Sequence, residues 1–185
     1  GQGVADPDGE EDTGQRSVFM DVYAALAKFH MKSFGTTQAQ LAAVAAKNHA
    51  HSAHNPLSQY REAMTVDEVM AARKVSWPLT LPMCSPISDG AAAAILCREE
   101  ELDRFDRSRA VKIHATALRT GSDRDPQEFD RHITHLAARD AYARAGLGPE
   151  DMHVAEVHDA TAFAEIQQVE NLGFCDFGEG GALTE

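Results

Sequence analysis

The chain has no apolar run near the ~20 residues a membrane-spanning helix needs, and no cluster of lysine and arginine. Acidic side chains outnumber basic ones, 29 to 17, for a net charge of −12. That balance argues against nucleic acid or an anionic membrane surface as the main partner. Glycine-rich phosphate loops and the serine elbow of hydrolases are also missing. Cysteine is scarce. Three residues, Cys84, Cys97 and Cys175, lie far apart with no secretory leader before them, so no disulfide framework is expected and the cytoplasm is the expected location. What remains is ordinary for a globular protein, 43% hydrophobic and 25% charged over 185 residues, enough for a sizeable core.

One stretch organises the rest. Cys84-Ser85-Pro86-Ile87-Ser88-Asp89-Gly90 is a tight polar turn, and Ala91 to Cys97 follows as a small, apolar run bounded by Arg98-Glu99-Glu100-Glu101. A short apolar run between turn signals reads as a buried strand, and pattern alone leaves a buried helix open. Upstream, Phe19, Tyr23, Leu26, Ala27, His30 and Phe34 recur at helical steps, with Gly35 as the stop. Thr37 with Gln40, and Thr65 with Glu68, form capping boxes that open two further helices, the first ending at Asn55-Pro56. Trp77 to Pro82 is extended because prolines disfavour helix at their own and preceding positions. Downstream, Glu99 to Arg109 is a charged connector with a helical turn. Ala110 to Leu118 alternates like a strand with one wet face, and Gly121 to Asp130 is a polar loop. Ile133 to Ala145 reads as a helix stopped by Gly146, His153 to Val157 as a strand, and Ala160 to Leu172 as a helix stopped by Gly173. Strand, helix, strand, helix is the pattern of a layered α/β protein. The acidic opening Gly1 to Asp12 reads as flexible, and the loop-like end Gly180 to Glu185 marks the chain as an internal piece of a longer polypeptide.

The organising stretch resembles the signature that closes the N-terminal half of thiolases, above all sterol-carrier-protein-2-type thiolases and bacterial lipid-transfer proteins. Phe34-Gly35-Thr36-Thr37-Gln38-Ala39-Gln40-Leu41-Ala42, Lys47-Asn48-His49 and Asn55-Pro56 recur upstream at that family's spacing. Glu156-Val157-His158-Asp159 and Leu172-Gly173-Phe174-Cys175 do so downstream. The resemblance implies an α/β, thiolase-like layered α-β-α-β-α fold, only part of it present. Residues 1–80 would be the remainder of a helical loop domain covering the active site, 81–109 the end of the N-terminal core, and 110–185 the start of the C-terminal core.

His158 is the leading catalytic candidate. It follows a predicted strand and precedes a predicted helix, where ligands gather in open α/β sheets and where free N–H groups favour an anion. The alternative is that His158-Asp159 only caps the helix. By resemblance, His158 stands where the His-Asp-Cys-Phe motif of sterol-carrier-type thiolases begins, or Asn-Glu-Ala-Phe in classical ones, and helps build an oxyanion hole, a donor worth ~3 kcal/mol in the transition state. The chain departs from the sterol-carrier motif at Ala160 and Thr161, where the subfamily has Cys and Phe. Alanine moves no proton, so either a cysteine elsewhere serves or the chemistry is not a Claisen condensation. Ser85 is the cofactor-binding candidate: the matching thiolase serine contacts the pantetheine arm of coenzyme A. Its alternative role is to satisfy the backbone of its own turn.

The three cysteines fall outside the thiolase nucleophile motif and read as inert, buried thiols. The Gly-His-Pro histidine of the family is absent from these residues as well. His49, His51 and His54 lack the carboxylate or cysteine of a known zinc pattern, and no metal is assigned. Expected function is therefore acyl transfer on 3-oxoacyl-CoA thioesters in lipid or sterol degradation, with coenzyme A as substrate or product and no covalently bound cofactor. A retro-aldol lyase on steroid side-chain acyl-CoA, working with a small partner subunit, is one alternative, although that family usually shows Tyr in place of His158. A non-catalytic acyl-CoA or lipid binder is the other. The resemblance implies a homodimer or homotetramer.

Overall fold

Residues 7, 17–121 and 123–185 are described by the computed structural model. The acidic opening lies outside them apart from Pro7. Helix α1 (Val18–Phe34) buries Ala24, Ala27 and His30 and ends on Gly35, whose φ of 80° is the left-handed conformation that closes a helix. The Thr37–Gln40 capping box then opens α2 (Gln38–Ser52), with both reciprocal bonds formed. This helix stops three residues earlier than Asn55 and buries Leu41, Ala42, Val44 and Ala45. A second capping box, Thr65 with Glu68, starts α3 (Val66–Ala71). The chain next turns through an antiparallel hairpin of β1 (Lys74–Ser76) and β2 (Leu79–Thr80), pairing Lys74 with Thr80 and Ser76 with Leu79. A 3-10 turn at Leu81–Met83 delivers the chain to Cys84.

Further on come α4 (Ile133–Ala145), α5 (Ala162–Asn171) and the short α6 (Gly180–Leu183). Phe163 and Ile166 of α5 pack with Leu41 and Val44 of α2, Val69 of α3, and Leu79 and Met83, forming one core. Inside it lies a polar knot that the periodicity of α1 did not announce. His30, 2% exposed, bonds Thr36 Oγ1 through Nδ1 at 2.8 Å and Glu170 Oε2 through Nε2 at 3.1 Å. The other oxygen of Glu170 accepts the Gly180 N–H at 2.9 Å, tying α1, α5 and α6 together. Gly180 has to be small, since a Cβ there would meet the Ile166 carbonyl at 2.7 Å.

Three expected strands are not formed. Ala91 to Cys97, Ala110 to Leu118 and His153 to Val157 run without regular ladder partners, and Ile95, Leu96, Val111, Leu118 and Val154 are exposed. A strand takes its hydrogen bonds from neighbours, and among the described residues none flanks these segments. Cys97, expected at the end of a buried strand, is exposed for the same reason. The connector after it does contain 3-10 turns, Glu99–Arg104 and Arg107–Arg109.

Candidate functional site

The two segments singled out in the sequence meet. Cys84 forms an isolated antiparallel bridge with Thr161, and the Ser85 N–H donates to the Ala160 carbonyl at 3.1 Å. Beside this junction is an open cavity of about 340 Å³ between the end of α2, the 58–60 loop, and residues 82–88. Ser85 and Asp159 both line it, with Asn48, Tyr60 and Cys84. His158 lies on the exposed, extended approach to α5 and is not on the cavity wall.

That placement corrects two expectations about His158. It follows an unpaired segment instead of a strand, and the cap of α5 is Thr161, whose hydroxyl accepts the Ala164 N–H at 3.4 Å. Asp159 is therefore no N-cap. The helix begins four residues after His158 because Thr161, 1% exposed, is both a good cap and part of the bridge to Cys84.

Asp159 has partners that sequence reasoning missed. Glu165, on the inward stripe of α5 and 7% exposed, is paired with Lys47 and accepts from Asn48 Nδ2 at 2.7 Å. The same Asn48 nitrogen lies 3.4 Å from Asp159 Oδ2. Partial burial lifts the Asp159 carboxyl above the usual aspartate range, and the Glu165 charge adds to the rise. His158 and Lys47 pull it the other way. The signal for this cluster was spacing. Leu41, Val44, Ala45 and Asn48 occupy one stripe of α2, and Ala162, Glu165 and Ile166 one stripe of α5, so the two polar residues face each other at the end of an apolar contact.

The cysteines bear differently on the inert reading. Burial pushes the Cys84 thiol up to about 11, against the opposing charge of Arg73. Cys175 is likewise raised to about 11, by burial and then by Glu170, Glu179 and Asp176. Neither is a ready thiolate at neutral pH. His49 stacks on Tyr60 with ring centroids 6.1 Å apart, and among the described residues no group of three or more His, Cys, Asp or Glu is arranged around a metal site. No helix among those residues is long and apolar enough to cross a membrane.

Comparison with known proteins places this architecture. Residues 115–185 match the family described as thiolase C-terminal domain-like. The fold is thiolase-like: a solved structure described as Ltp2-ChsH2(DUF35) aldolase superposes with a TM-score of 0.70 at 24% identity, covering 87% of this chain and 44% of that one. The acetyl-CoA acetyltransferase of Methanothermobacter thermautotrophicus is 41% identical over 180 residues, 96% of this chain and 47% of the relative. Sterol carrier protein 2 of Rattus norvegicus is 37% identical over 174 residues, 89% of this chain and 31% of the relative. The chain is thus similar to thiolase-type proteins over most of its length, with the thiolase C-terminal domain-like match confined to residues 115–185. It spans about half or less of the length of these relatives.

Proposed function

We propose that the whole protein transfers acyl groups between 3-oxoacyl-CoA thioesters and coenzyme A, and that these residues build one wall of its acyl-CoA site. The observation that carries the reading is the junction of Ser85 with the Asp159–Thr161 segment at an open cavity. It is supported by the acetyltransferase name of a 41% identical relative. In this reading Ser85 holds the pantetheine arm of coenzyme A, and His158 turns in to polarise the thioester carbonyl. The nucleophilic cysteine and the main base belong to parts of the protein other than these residues. Residues 1–80 serve as a loop domain, 81–109 close the N-terminal core and 110–185 open the C-terminal core. The protein works in the cytoplasm as a homodimer or homotetramer, in lipid or sterol degradation.

Ala160 favours a second reading, a retro-aldol lyase acting on side-chain acyl-CoA beside a small partner subunit. The solved neighbour named as an aldolase shares the fold and adds only that to the case. Incubating the whole protein with acetoacetyl-CoA and free coenzyme A, and separately with a 3-hydroxyacyl-CoA whose β-carbon is a tertiary alcohol, separates the readings. Thiolytic turnover with an acyl group trapped on a cysteine is expected for the first. Release of a ketone from a 3-hydroxyacyl-CoA, with no trapped acyl group, replaces it with the second. Tight binding of both esters without turnover overturns both in favour of a binder. If acyl transfer occurs, His158→Ala should lower kcat about 100- to 1,000-fold, the usual cost of one oxyanion donor. An unchanged kcat removes His158 from the site.

A further inference from the structure

Two carboxylates and one amide converge at the edge of the cavity, and nothing in the proposed chemistry so far uses them. Glu165 is nearly buried on α5, a position that strongly disfavours an unpaired charge. Lys47 supplies the counter-charge, and Asn48, one residue further along α2, donates to the second carboxylate oxygen at 2.7 Å. Both neighbours of the Asn48 terminal atom are acceptors, which assigns that atom as the nitrogen. An NH₂ group has two hydrogens, so one donor can serve Glu165 and Asp159 together while standing between their charges.

We propose that Asn48, oriented by the Lys47–Glu165 pair, is a positioning residue that holds Asp159 and thereby sets Asp159 and Ala160 against the Ser85 wall of the cavity, fixing the backbone from which His158 turns in. The inference rests on the acyl-CoA reading above for its effect on turnover, and on geometry alone for the clamp itself. Besides this amide, the ties of the segment among the described residues lie downstream, in the Ser85–Ala160 and Cys84–Thr161 pairings. Without Asn48, Asp159 loses its hydrogen bond to α2, and His158 beside it loses that anchor. A displaced oxyanion donor affects the transition state more than ground-state binding, so the loss belongs in kcat.

The test compares Asn48→Ala, Glu165→Ala and Glu165→Gln in the whole protein. Amide hydrogen exchange is read over residues 156–161 and over α4, and thiolysis of acetoacetyl-CoA is read alongside. In Asn48→Ala the clamp predicts faster exchange at 156–161 with α4 unchanged. It also predicts kcat about 10- to 100-fold lower with KM within about twofold. Glu165→Gln keeps an acceptor for the Asn48 amide and should retain most of the turnover that Glu165→Ala loses. Unchanged exchange at 156–161 in Asn48→Ala overturns the clamp, whether or not the protein is active. Changed exchange with unchanged kcat overturns its role in turnover. A wild-type protein inert towards acetoacetyl-CoA sinks the acyl-transfer reading instead, and the exchange comparison still decides the clamp.

Discussion

The helical layer built by α1, α2, α3 and α5 and the extended segments around it were equally well patterned in sequence, yet only the first reached its expected structure. Helices α1 and α2 begin and stop within a few residues of their signals, because a helix closes its backbone bonds inside its own segment. Residues 91–97, 110–118 and 153–157 carry strand patterning just as plainly, but their bonds have to come from elsewhere. The result is a packed helical core beside apolar side chains such as Ile95 and Leu118, 77% and 90% exposed. A local signal is enough for the one and only half of the information for the other.

The strongest way to break the packed side of this contrast is His30→Leu. It removes one partner of a buried pair whose side chains are 3% and 2% exposed, stranding the Glu170 carboxylate. Losing one member of such a pair costs about 3–5 kcal/mol. Urea unfolding of the whole protein should show that loss as a lower midpoint. A loss under about 1 kcal/mol would mean that solvent reaches Glu170 and that the knot is not a core element. Adding Glu170→Met should recover part of the stability, since apolar replacement of a buried pair is often close to neutral.

Ile95→Asp sharpens the extended side. Within these residues Ile95 is 77% exposed, and a substitution at such a position normally changes stability by at most about 0.5 kcal/mol. If residues 81–109 close a core in the whole protein, partner strands cover Ile95 and a charge there costs about 2–3 kcal/mol. A neutral result would withdraw the assignment of that segment to a core.

The same division runs through the site. Ser85 and His158-Asp159 were legible because turn chemistry and family-like wording mark them locally, and their mutual approach follows from the Cys84–Thr161 bridge. The chemical partners of Asp159 were not legible. Glu165 stands 6 residues from Asp159 and 117 from Asn48, and only the packing of α2 on α5 brings the three together. His30 failed in the same way. It reads as one more position on the face of α1 until Glu170, 140 residues away, arrives beside it.

The two capping boxes offer the smallest and cleanest contrast, because both belong to the packed side and differ in one atom type. Thr37 pairs with an amide, Gln40, and Thr65 with a carboxylate, Glu68. Thr37→Ala should cost about 1 kcal/mol at any pH. The Thr65 backbone N–H and then its hydroxyl hold the Glu68 carboxyl below the ordinary 4.5. A carboxyl depressed in the folded state stabilises it above the unfolded pKa, and that contribution disappears as pH falls through the depressed value. Amide protection at the start of α3 should therefore weaken on acidification below about 4.5, whereas protection at the start of α2 should show no such step. In Thr65→Ala the acid step should shrink but persist, because the hydroxyl bond is lost while the Thr65 backbone N–H, the larger cause of the depression, still reaches the Glu68 carboxylate. Equal pH dependence at the two helix starts would show that the step comes from general acid unfolding and not from the Glu68 cap.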